Sequence, residues 1–140
     1  CVRANLLWND IKYNDIMKKV IATVDAPKAV GPYSQAIEVN GTLYISGQIP
    51  VNPADGQIQD EITAAAHQSL KNIGAILKEA GMTYDNVVKT TVLLADIADF
   101  KAVNEVYAEY FTGDKPARAC YQAAALPLGV KVEIEAIAVR

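Results

Sequence analysis

The chain is poor in the residues that build metal sites, disulfide frameworks and catalytic triads. Among its 140 residues, two are cysteines, Cys1 and Cys120, and one is a histidine, His67. These residues are too few for a common zinc site or a disulfide framework, and the cysteine usage favours a reducing compartment. A Ser-His-acid triad would need His67, which lies in a predicted helix and is interpreted as a residue of the helix surface or edge.

Long apolar runs and a dominant charge are also missing. No segment approaches the ~20 apolar residues that span a membrane. The 13 Lys and Arg and 16 Asp and Glu are mixed along the chain and leave a net charge of −3, whereas a nucleic-acid surface normally shows a basic stripe or patch. Phosphate-binding loops and dinucleotide fingerprints are absent. The sequence predicts a cytoplasmic protein in which any catalysis uses Arg, Glu, Tyr, Ser and backbone groups.

The two ends of the chain differ in character. Residues 1–16 contain the single tryptophan, Trp8, and lack the ordered charged leader, apolar core and cleavage site of a signal peptide. Met17-Lys18-Lys19 is typical of a natural start. We interpret residues 1–16 as an atypical N-terminal extension and residues 17–140 as a single domain, since no repeat or linker divides them and hydrophobic residues make up 51% of the chain.

Periodicity and turn chemistry predict the order β, ββ hairpin, α, β, α, ββ. The predicted strands are 18–23, 36–39, 42–46, 86–94, 116–123 and 130–139. Asn40-Gly41 favours a type I′ hairpin, because that turn needs positive φ at both central residues. The first helix is predicted over 61–80, capped by Asp60 and stopped by Gly81; the second begins after Asp96 or Asp99 and stops at Gly113.

Two helices on one face of a mixed sheet make an α+β sandwich. The last strand places Val132, Ile134 and Ala136 on the helix side. Its other face carries Lys131, Glu133, Glu135, Ile137 and Val139. The strand 86–94 is apolar on both faces, with Val88, Val92 and Leu94 opposed to Val87 and Leu93. Because helices cover only one face, we expect another subunit to cover the second.

The most unusual stretch is Lys115-Pro116-Ala117-Arg118-Ala119-Cys120. Arg118 and Cys120 share one face of a strand, and Glu133 follows on the next strand. Antiparallel pairing of those strands would bring Arg118 and Glu133 to the same sheet edge. A guanidinium forms a two-pronged pair with a carboxylate. From the pattern alone, the leading interpretation is a structural Arg118–Glu133 ion pair, and the alternative is a site for a carboxylate ligand.

Four motifs, taken in order, make the chain resemble a known family. They are Gly31-Pro32-Tyr33-Ser34-Gln35, Ser46-Gly47-Gln48-Ile49-Pro50, Pro116-Ala117-Arg118-Ala119-Cys120 and Val132-Glu133-Ile134-Glu135-Ala136. Together they resemble the reactive intermediate deaminases, the RidA/YjgF-like proteins, over residues 18–140. The resemblance implies a chorismate-mutase-like α+β sandwich, with a mixed sheet and two helices on one face. It also implies a homotrimer that buries the other face, with ligand clefts between neighbouring subunits.

The resemblance further implies a 2-iminobutanoate/2-iminopropanoate deaminase that limits metabolite damage without a cofactor. Such enzymes hydrolyse enamines and imines, for example 2-aminoacrylate, to 2-keto acids and ammonia. By position, Arg118 would clamp the substrate carboxylate, and Glu133 would hold the attacking water and shuttle a proton. The implied pocket residues are Tyr33, Ser46, Gly47, Asn104 and Cys120, the last through its backbone.

Other interpretations remain open at this point. Tyr33 is alternatively a packing aromatic, Ser46 a strand-end cap, and Glu135 an interface or solvent charge. The alternative function is a sensor of small acids that uses the same cleft without catalysis. A ribonuclease or translation inhibitor is disfavoured by the acidic balance and by the lack of a catalytic pair of histidines.

Overall fold

Strands and helices follow one another in the predicted order. The computed structural model describes residues 17–140, so the interpretation of residues 1–16 as an extension lies outside the described residues. The strands are β1 (Lys19–Ile21), β2 (Ala36–Val39), β3 (Thr42–Gln48), β4 (Val87–Leu94), β5 (Ala117–Gln122) and β6 (Val132–Val139). The helices are α1 (Ile62–Glu79) and α2 (Phe100–Tyr110). Short 3-10 turns precede β4 (84–86), α2 (97–99) and β6 (127–129).

The strands form a six-stranded sheet in the order β1-β2-β3-β6-β4-β5 across the described residues. Neighbouring strands are antiparallel except β4 and β5, which are parallel and connected through α2. The core lies between one face of this sheet and the helices; Leu43, Leu70, Ile73, Val92 and Ile134 are fully buried there. The predicted α+β sandwich is confirmed.

Local turn chemistry explains the β2–β3 hairpin. Asn40 has φ of 50° and Gly41 has φ of 77°, so both central residues are left-handed. This is the conformation of a type I′ turn, whose twist matches that of the flanking strands. Gly81, with φ of 72°, likewise follows α1 in the left-handed conformation that ends many helices.

The predicted start of α1 is wrong by one residue. Its N-cap is Glu61, not Asp60, and the Glu61 carboxylate accepts hydrogen bonds from the backbone N–H groups of Thr63 (3.0 Å) and Ala64 (2.9 Å). The longer glutamate side chain reaches both donors from the cap position. These bonds hold the pKa of Glu61 below its usual value.

The ends of α2 also differ from the prediction. Asp96 caps the preceding 3-10 turn by accepting from Ala98 N–H at 2.9 Å, whereas Asp99 stands at the N-cap without a side-chain bond. The helix ends at Tyr110 and not at Gly113, because Phe111 leaves helical geometry with φ of −109° and is buried in the core. Anchoring of this aromatic side chain ends the helix before the glycine.

A β-bulge in β4 changes which residues share a face. The register against β6 shifts between Val87 and Lys89, so Val87 is buried while Val88 is 44% exposed. The sequence-based grouping of Val88 with Val92 and Leu94 is therefore wrong, since strict alternation fails where an extra residue enters the strand.

The face of the sheet opposite the helices carries a mixture of apolar and acidic residues. Along β6, Val132, Ile134 and Ala136 are buried, while Glu135 and Val139 are exposed on the other face, as predicted. Tyr44, Tyr121 and Val139 expose 48%, 52% and 36% of their surface. Within residues 17–140, none of the helices is long and apolar enough to cross a membrane.

Candidate active site

Arg118 is held on the helix side of the edge strand β5. It pairs with Thr90 of β4, and its guanidinium donates to Asn104 Oδ1 of α2 at 2.7 Å. The guanidinium carbon also lies 4.9 Å from the ring centre of Tyr107 and 5.5 Å from that of Phe100. Cation–π contacts of this kind are worth about 0.5–2 kcal/mol each. Three contacts to α2 therefore orient this cation.

The surroundings of Arg118 are partly buried and hydrogen-bonded. The hydroxyl groups of Tyr107 and Thr90 lie 2.7 Å apart, and burial raises the pKa of Tyr107 against the opposing effects of Thr90 and Arg118. Cys120 lies on the same side of β5 and packs against the core. Burial raises the pKa of its thiol, and Arg118 opposes that rise. The thiol is thus protonated near neutral pH, which favours a backbone role for Cys120.

Glu133 lies on the other face of the sheet. It pairs with Leu93 of β4, next to β3 and away from the helices. The expected antiparallel pairing that would join Arg118 and Glu133 is wrong, because β5 pairs in parallel with β4, and β4 separates β5 from β6. Among residues 17–140, no carboxylate lies within 4 Å of the Arg118 guanidinium, so the structural Arg118–Glu133 ion pair is also wrong within one chain.

The Glu133 carboxyl group lies against the backbone of Gly47. The pairing of β3 with β6 is irregular between Ile45 and Gln48, and Gly47 falls in this irregular stretch. A Cβ atom at position 47 would overlap the Glu133 carboxyl oxygen and lie 2.9 Å from its Cδ. Burial raises the pKa of Glu133, and repulsion from Glu135 raises it further. Glycine at position 47 is what leaves room for this carboxyl group.

Tyr33 and Ser46 lie near the same end of β3. The Tyr33 side chain is 49% exposed, and its hydroxyl oxygen accepts a hydrogen bond from Val30 N–H at 3.3 Å. The Ser46 hydroxyl donates to the carbonyl of Ser34 at 2.6 Å, and Ser46 N–H donates to the Gln35 carbonyl at 2.9 Å. Ser46 thus fastens the Gly31–Gln35 loop to β3, as a strand-end cap does.

A pocket of about 320 Å³ opens beside this group. Tyr33 and Gly47 line it together with Ile49, Val51 and Leu128, which sequence reasoning did not select. The Asp55-Gly56 pair in the sequence indicates a turn at this place. In the structure it lies between Val51 and Ile58, which form an isolated bridge at the pocket. The contact of the Phe100 and Tyr107 rings with Arg118 had no local signal in the sequence.

His67 contacts neither Arg118 nor Glu133. Its Nδ1 is 2.8 Å from the Tyr110 hydroxyl, and its Nε2 is 3.4 Å from a Glu109 carboxyl oxygen. The side chain is 34% exposed on α1, in agreement with the predicted helix-edge position, and none of these partners is a serine. In the part of the chain that the structure describes, no cluster of three or more His, Cys, Asp or Glu residues could hold a metal ion.

The structure thus arranges the predicted residues in two groups. Arg118, Asn104 and Cys120 lie on the helix side of β5, while Glu133 and Gly47 lie at the β3–β6 junction with Tyr33 and Ser46 near the end of β3. The first group offers a cation for a carboxylate, and the second offers a carboxyl group beside a pocket. Within one chain the two groups lie on opposite faces of the sheet.

Comparison with known proteins places the chain in a family. A sequence model described as Endoribonuclease L-PSP matches residues 23–140. A Mus musculus protein named 2-iminobutanoate/2-iminopropanoate deaminase is 58% identical over 128 residues, covering 91% of this chain and 95% of its own length. An Escherichia coli protein of the same name is 48% identical over 127 residues, covering 89% of this chain and 99% of its own length.

The solved structures agree with the sequence comparisons. The crystal structure of the E. coli YjgF gene product matches with a TM-score of 0.85 and 47% identity, covering 87% of this chain and 98% of that one. The chain therefore belongs to the Endoribonuclease L-PSP family, that of the RidA/YjgF reactive intermediate deaminases, and has their chorismate-mutase-like fold.

Proposed function

We propose that this protein is a 2-iminobutanoate/2-iminopropanoate deaminase. It hydrolyses reactive imines and enamines, such as 2-aminoacrylate, to 2-keto acids and ammonia, and so limits metabolite damage. The observation that carries this proposal is the Arg118 guanidinium, oriented by Asn104 and two aromatic rings with no carboxylate partner among residues 17–140. Relatives 48–58% identical to the chain carry this activity in their names.

The placement of Arg118 and Glu133 supports a site shared between copies of the chain. Their side chains leave opposite faces of one sheet, so one copy does not bring them together. A second copy packed on the face without helices, where Tyr44 and Val139 are exposed, would bury apolar surface and bring its own Arg118 to the Glu133 of its neighbour. We propose a homotrimer with a site in each of its clefts.

The reaction needs positioning and one acid–base group. Arg118 binds the substrate carboxylate through parallel charge-assisted hydrogen bonds. Glu133 holds a water molecule, whose oxygen adds to the imine carbon while the water proton passes to the carboxylate. Glu133 then returns this proton to the nitrogen of the carbinolamine. As the C–N bond breaks, the proton of the carbinol hydroxyl passes through the Glu133 carboxylate to the departing nitrogen, and a 2-keto acid and ammonia leave.

The remaining residues shape the site. Asn104 fixes the Arg118 guanidinium, and Gly47 leaves space for the Glu133 carboxyl group. Tyr33 offers its hydroxyl proton to the substrate, Ser46 holds the loop that carries Tyr33, and Cys120 contributes its backbone. Water already adds to imines without an enzyme, so alignment of the reactants is the main requirement. We place the protein in the cytoplasm on its cysteine usage, with no cofactor.

The direct test generates 2-iminopropanoate with an amino-acid oxidase and follows its trapping by semicarbazide. Wild-type protein should suppress trapping. Arg118→Ala should lower hydrolysis by about 10²–10³-fold, the usual effect of removing one aligned donor to a developing or bound anion. Its oligomeric state should be unchanged. Lys101→Ala, an exposed change on α2, is the matched control. Equal turnover by Arg118→Ala and wild type would contradict the assigned role.

The same assay separates the alternative functions. A small-acid sensor would bind 2-keto acids at this cleft while leaving imine trapping unchanged. A ribonuclease would cleave RNA with an activity that survives purification and is insensitive to Arg118→Ala. The net charge of −3 disfavours this last function, because phosphate recognition depends on a basic surface.

A further inference from the structure

One face of α2 carries the side chains that hold Arg118. Phe100, Asn104, Tyr107 and Phe111 follow one another at steps of four, three and four residues, which places them along one side of the helix. The first three contact the Arg118 guanidinium. Tyr107 is 7% exposed, whereas Phe100 is 40% exposed, so Tyr107 supports the guanidinium from within the protein.

The Tyr107 side chain is itself held from two directions. Its hydroxyl oxygen lies 2.7 Å from the Thr90 hydroxyl, and its ring centre lies 4.5 Å from that of Phe111. Thr90 is fully buried, so the hydrogen bond between the two hydroxyl groups is shielded from water. Loss of either hydroxyl would leave the other buried and without this partner, which costs free energy.

Thr90 connects this ring to the strand pair that carries Arg118. Thr90 of β4 and Arg118 of β5 lie opposite each other in the parallel register. Tyr107 therefore contacts the charged end of Arg118 with its ring, at 4.9 Å, and bonds to the residue beside the Arg118 backbone with its hydroxyl. A phenylalanine would offer the cation a similar ring. The hydroxyl adds the bond that fixes the ring to the sheet.

We propose that Tyr107 is a positioning residue of the deaminase, which fixes the Arg118 guanidinium through a ring anchored at Thr90 and so sets the affinity for the substrate carboxylate. The inference rests on the proposed function, because it concerns how that same site holds its substrate. A guanidinium binds a carboxylate through two parallel hydrogen bonds, so a displaced guanidinium weakens both. Because Tyr107 is buried, it acts through Arg118 and not by touching the substrate.

The test compares Tyr107→Phe with Tyr110→Phe in the semicarbazide assay. Each change keeps a ring on α2 and removes a hydrogen-bonded hydroxyl group, but the Tyr110 hydroxyl bonds to His67 Nδ1 at 2.8 Å. Tyr107→Phe should raise KM for 2-iminopropanoate about three- to tenfold with little change in kcat, and Tyr110→Phe should change neither. Equal increases in KM would show a general loosening of α2 and would overturn the proposal.

Changes at Thr90 test the route through the hydroxyl bond. Thr90→Val removes the partner of the Tyr107 hydroxyl and should raise KM by a factor similar to that of Tyr107→Phe. Thr90→Ser keeps a hydroxyl group and should leave KM nearly normal. The double variant Thr90→Val/Tyr107→Phe should be no worse than either single variant, because both changes remove the same bond. Additive effects would show that the two hydroxyl groups act separately, against the proposal.

Binding of pyruvate distinguishes failure of this inference from failure of the proposed function. By calorimetry, Tyr107→Phe should weaken binding of pyruvate and leave binding of the uncharged pyruvamide unchanged, because the carboxylate is what Arg118 holds. An equal loss for both ligands would indicate a merely structural role and overturn the proposal. If no imine is hydrolysed but pyruvate binding still depends on Tyr107, the deaminase assignment fails and the positioning role stands. If imines are hydrolysed with unchanged KM in Tyr107→Phe, the positioning role is wrong and the deaminase stands.

Discussion

The two halves of the proposed site differ in how firmly the protein holds them. Arg118 has a hydrogen-bond partner at 2.7 Å and two aromatic rings within 5.5 Å, all on α2. Glu133 has no cationic side chain within 4 Å among residues 17–140 and lies against the bare backbone of Gly47. The first arrangement suits a group that must stay charged and aligned. The second suits a group that gains and loses a proton.

The two halves of the proposed site also differ in their surroundings: Arg118 is held by a hydrogen bond and aromatic rings, whereas Glu133 is influenced by burial and a second carboxylate. Asn104 and the two aromatic rings fix the position of the Arg118 guanidinium. Burial and the neighbouring Glu135 raise the pKa of Glu133, which moves its titration toward neutrality. Proton transfer is most effective when the pKa of the acid–base group lies near the working pH. Binding and chemistry are thus assigned to opposite faces of one sheet.

Among the residues that support the two halves, the largest effect is expected at Gly47, which lies against Glu133. Gly47→Ala would place a methyl group on the Glu133 carboxyl and displace it, and a displacement of about 1 Å at a catalytic group costs about 10² in rate. We expect a fall of that size in kcat for 2-iminopropanoate. In Gly31→Ala the new Cβ meets atoms no closer than 3.5 Å, and turnover should be nearly normal. Equal activities of the two variants would mean that the Glu133 position is not critical.

A smaller effect is expected at Asn104, which supports the Arg118 half. Asn104→Ala removes a hydrogen bond to a charged group, worth about 1.5–3 kcal/mol. In the proposed mechanism Arg118 holds the carboxylate in both substrate and transition state, so KM should rise by about tenfold or more while kcat changes little. Steady-state kinetics measure this split. A fall in kcat with unchanged KM would show that Asn104 acts on the reacting atoms and not through the carboxylate clamp.

The smallest effect is expected in the pH dependence of turnover, which the Glu133 carboxyl group would set. The Glu133 pKa is raised, so its carboxylate form, which accepts the water proton, is lost as pH falls through a value above the usual one. Glu135→Gln removes the repulsion between the two carboxylates and lowers the Glu133 pKa. The acid limb of kcat against pH should therefore move to lower pH. Glu105→Gln, an exposed change on α2, should leave the limb in place. A shift to higher pH would contradict the repulsion.

Local chemistry made much of the fold predictable. The Asn40-Gly41 turn, the end of α1 before Gly81 and the buried alternation of β6 each depend on a few neighbouring residues, and each is confirmed. Errors arose where distant packing decides the outcome. Burial of Phe111 ends α2 before Gly113, and the bulge at Val88 depends on the register with β6, which no local pattern records.

Prediction of the site also failed where contacts distant in sequence decide the outcome. The residue types at 118 and 133 identified a guanidinium and a carboxyl group, and the motif resemblance gave them roles that remain predictions. Their relative placement was wrong because β5 pairs with β4 in parallel, a choice set by the crossover through α2 and not by residues 116–123 themselves. The aromatic rings under Arg118 and the apolar pocket beside Gly47 came only from the folded chain.

The central claim is that Arg118 of one copy works with Glu133 of another, and subunit mixing tests it most directly. Arg118→Ala and Glu133→Gln should each be nearly inactive alone. After co-refolding in equal amounts, a closed ring of randomly mixed subunits should recover about a quarter of wild-type turnover, because about one cleft in four pairs an intact Arg118 with an intact Glu133. Turnover no higher than the sum of the separate variants would contradict the shared site.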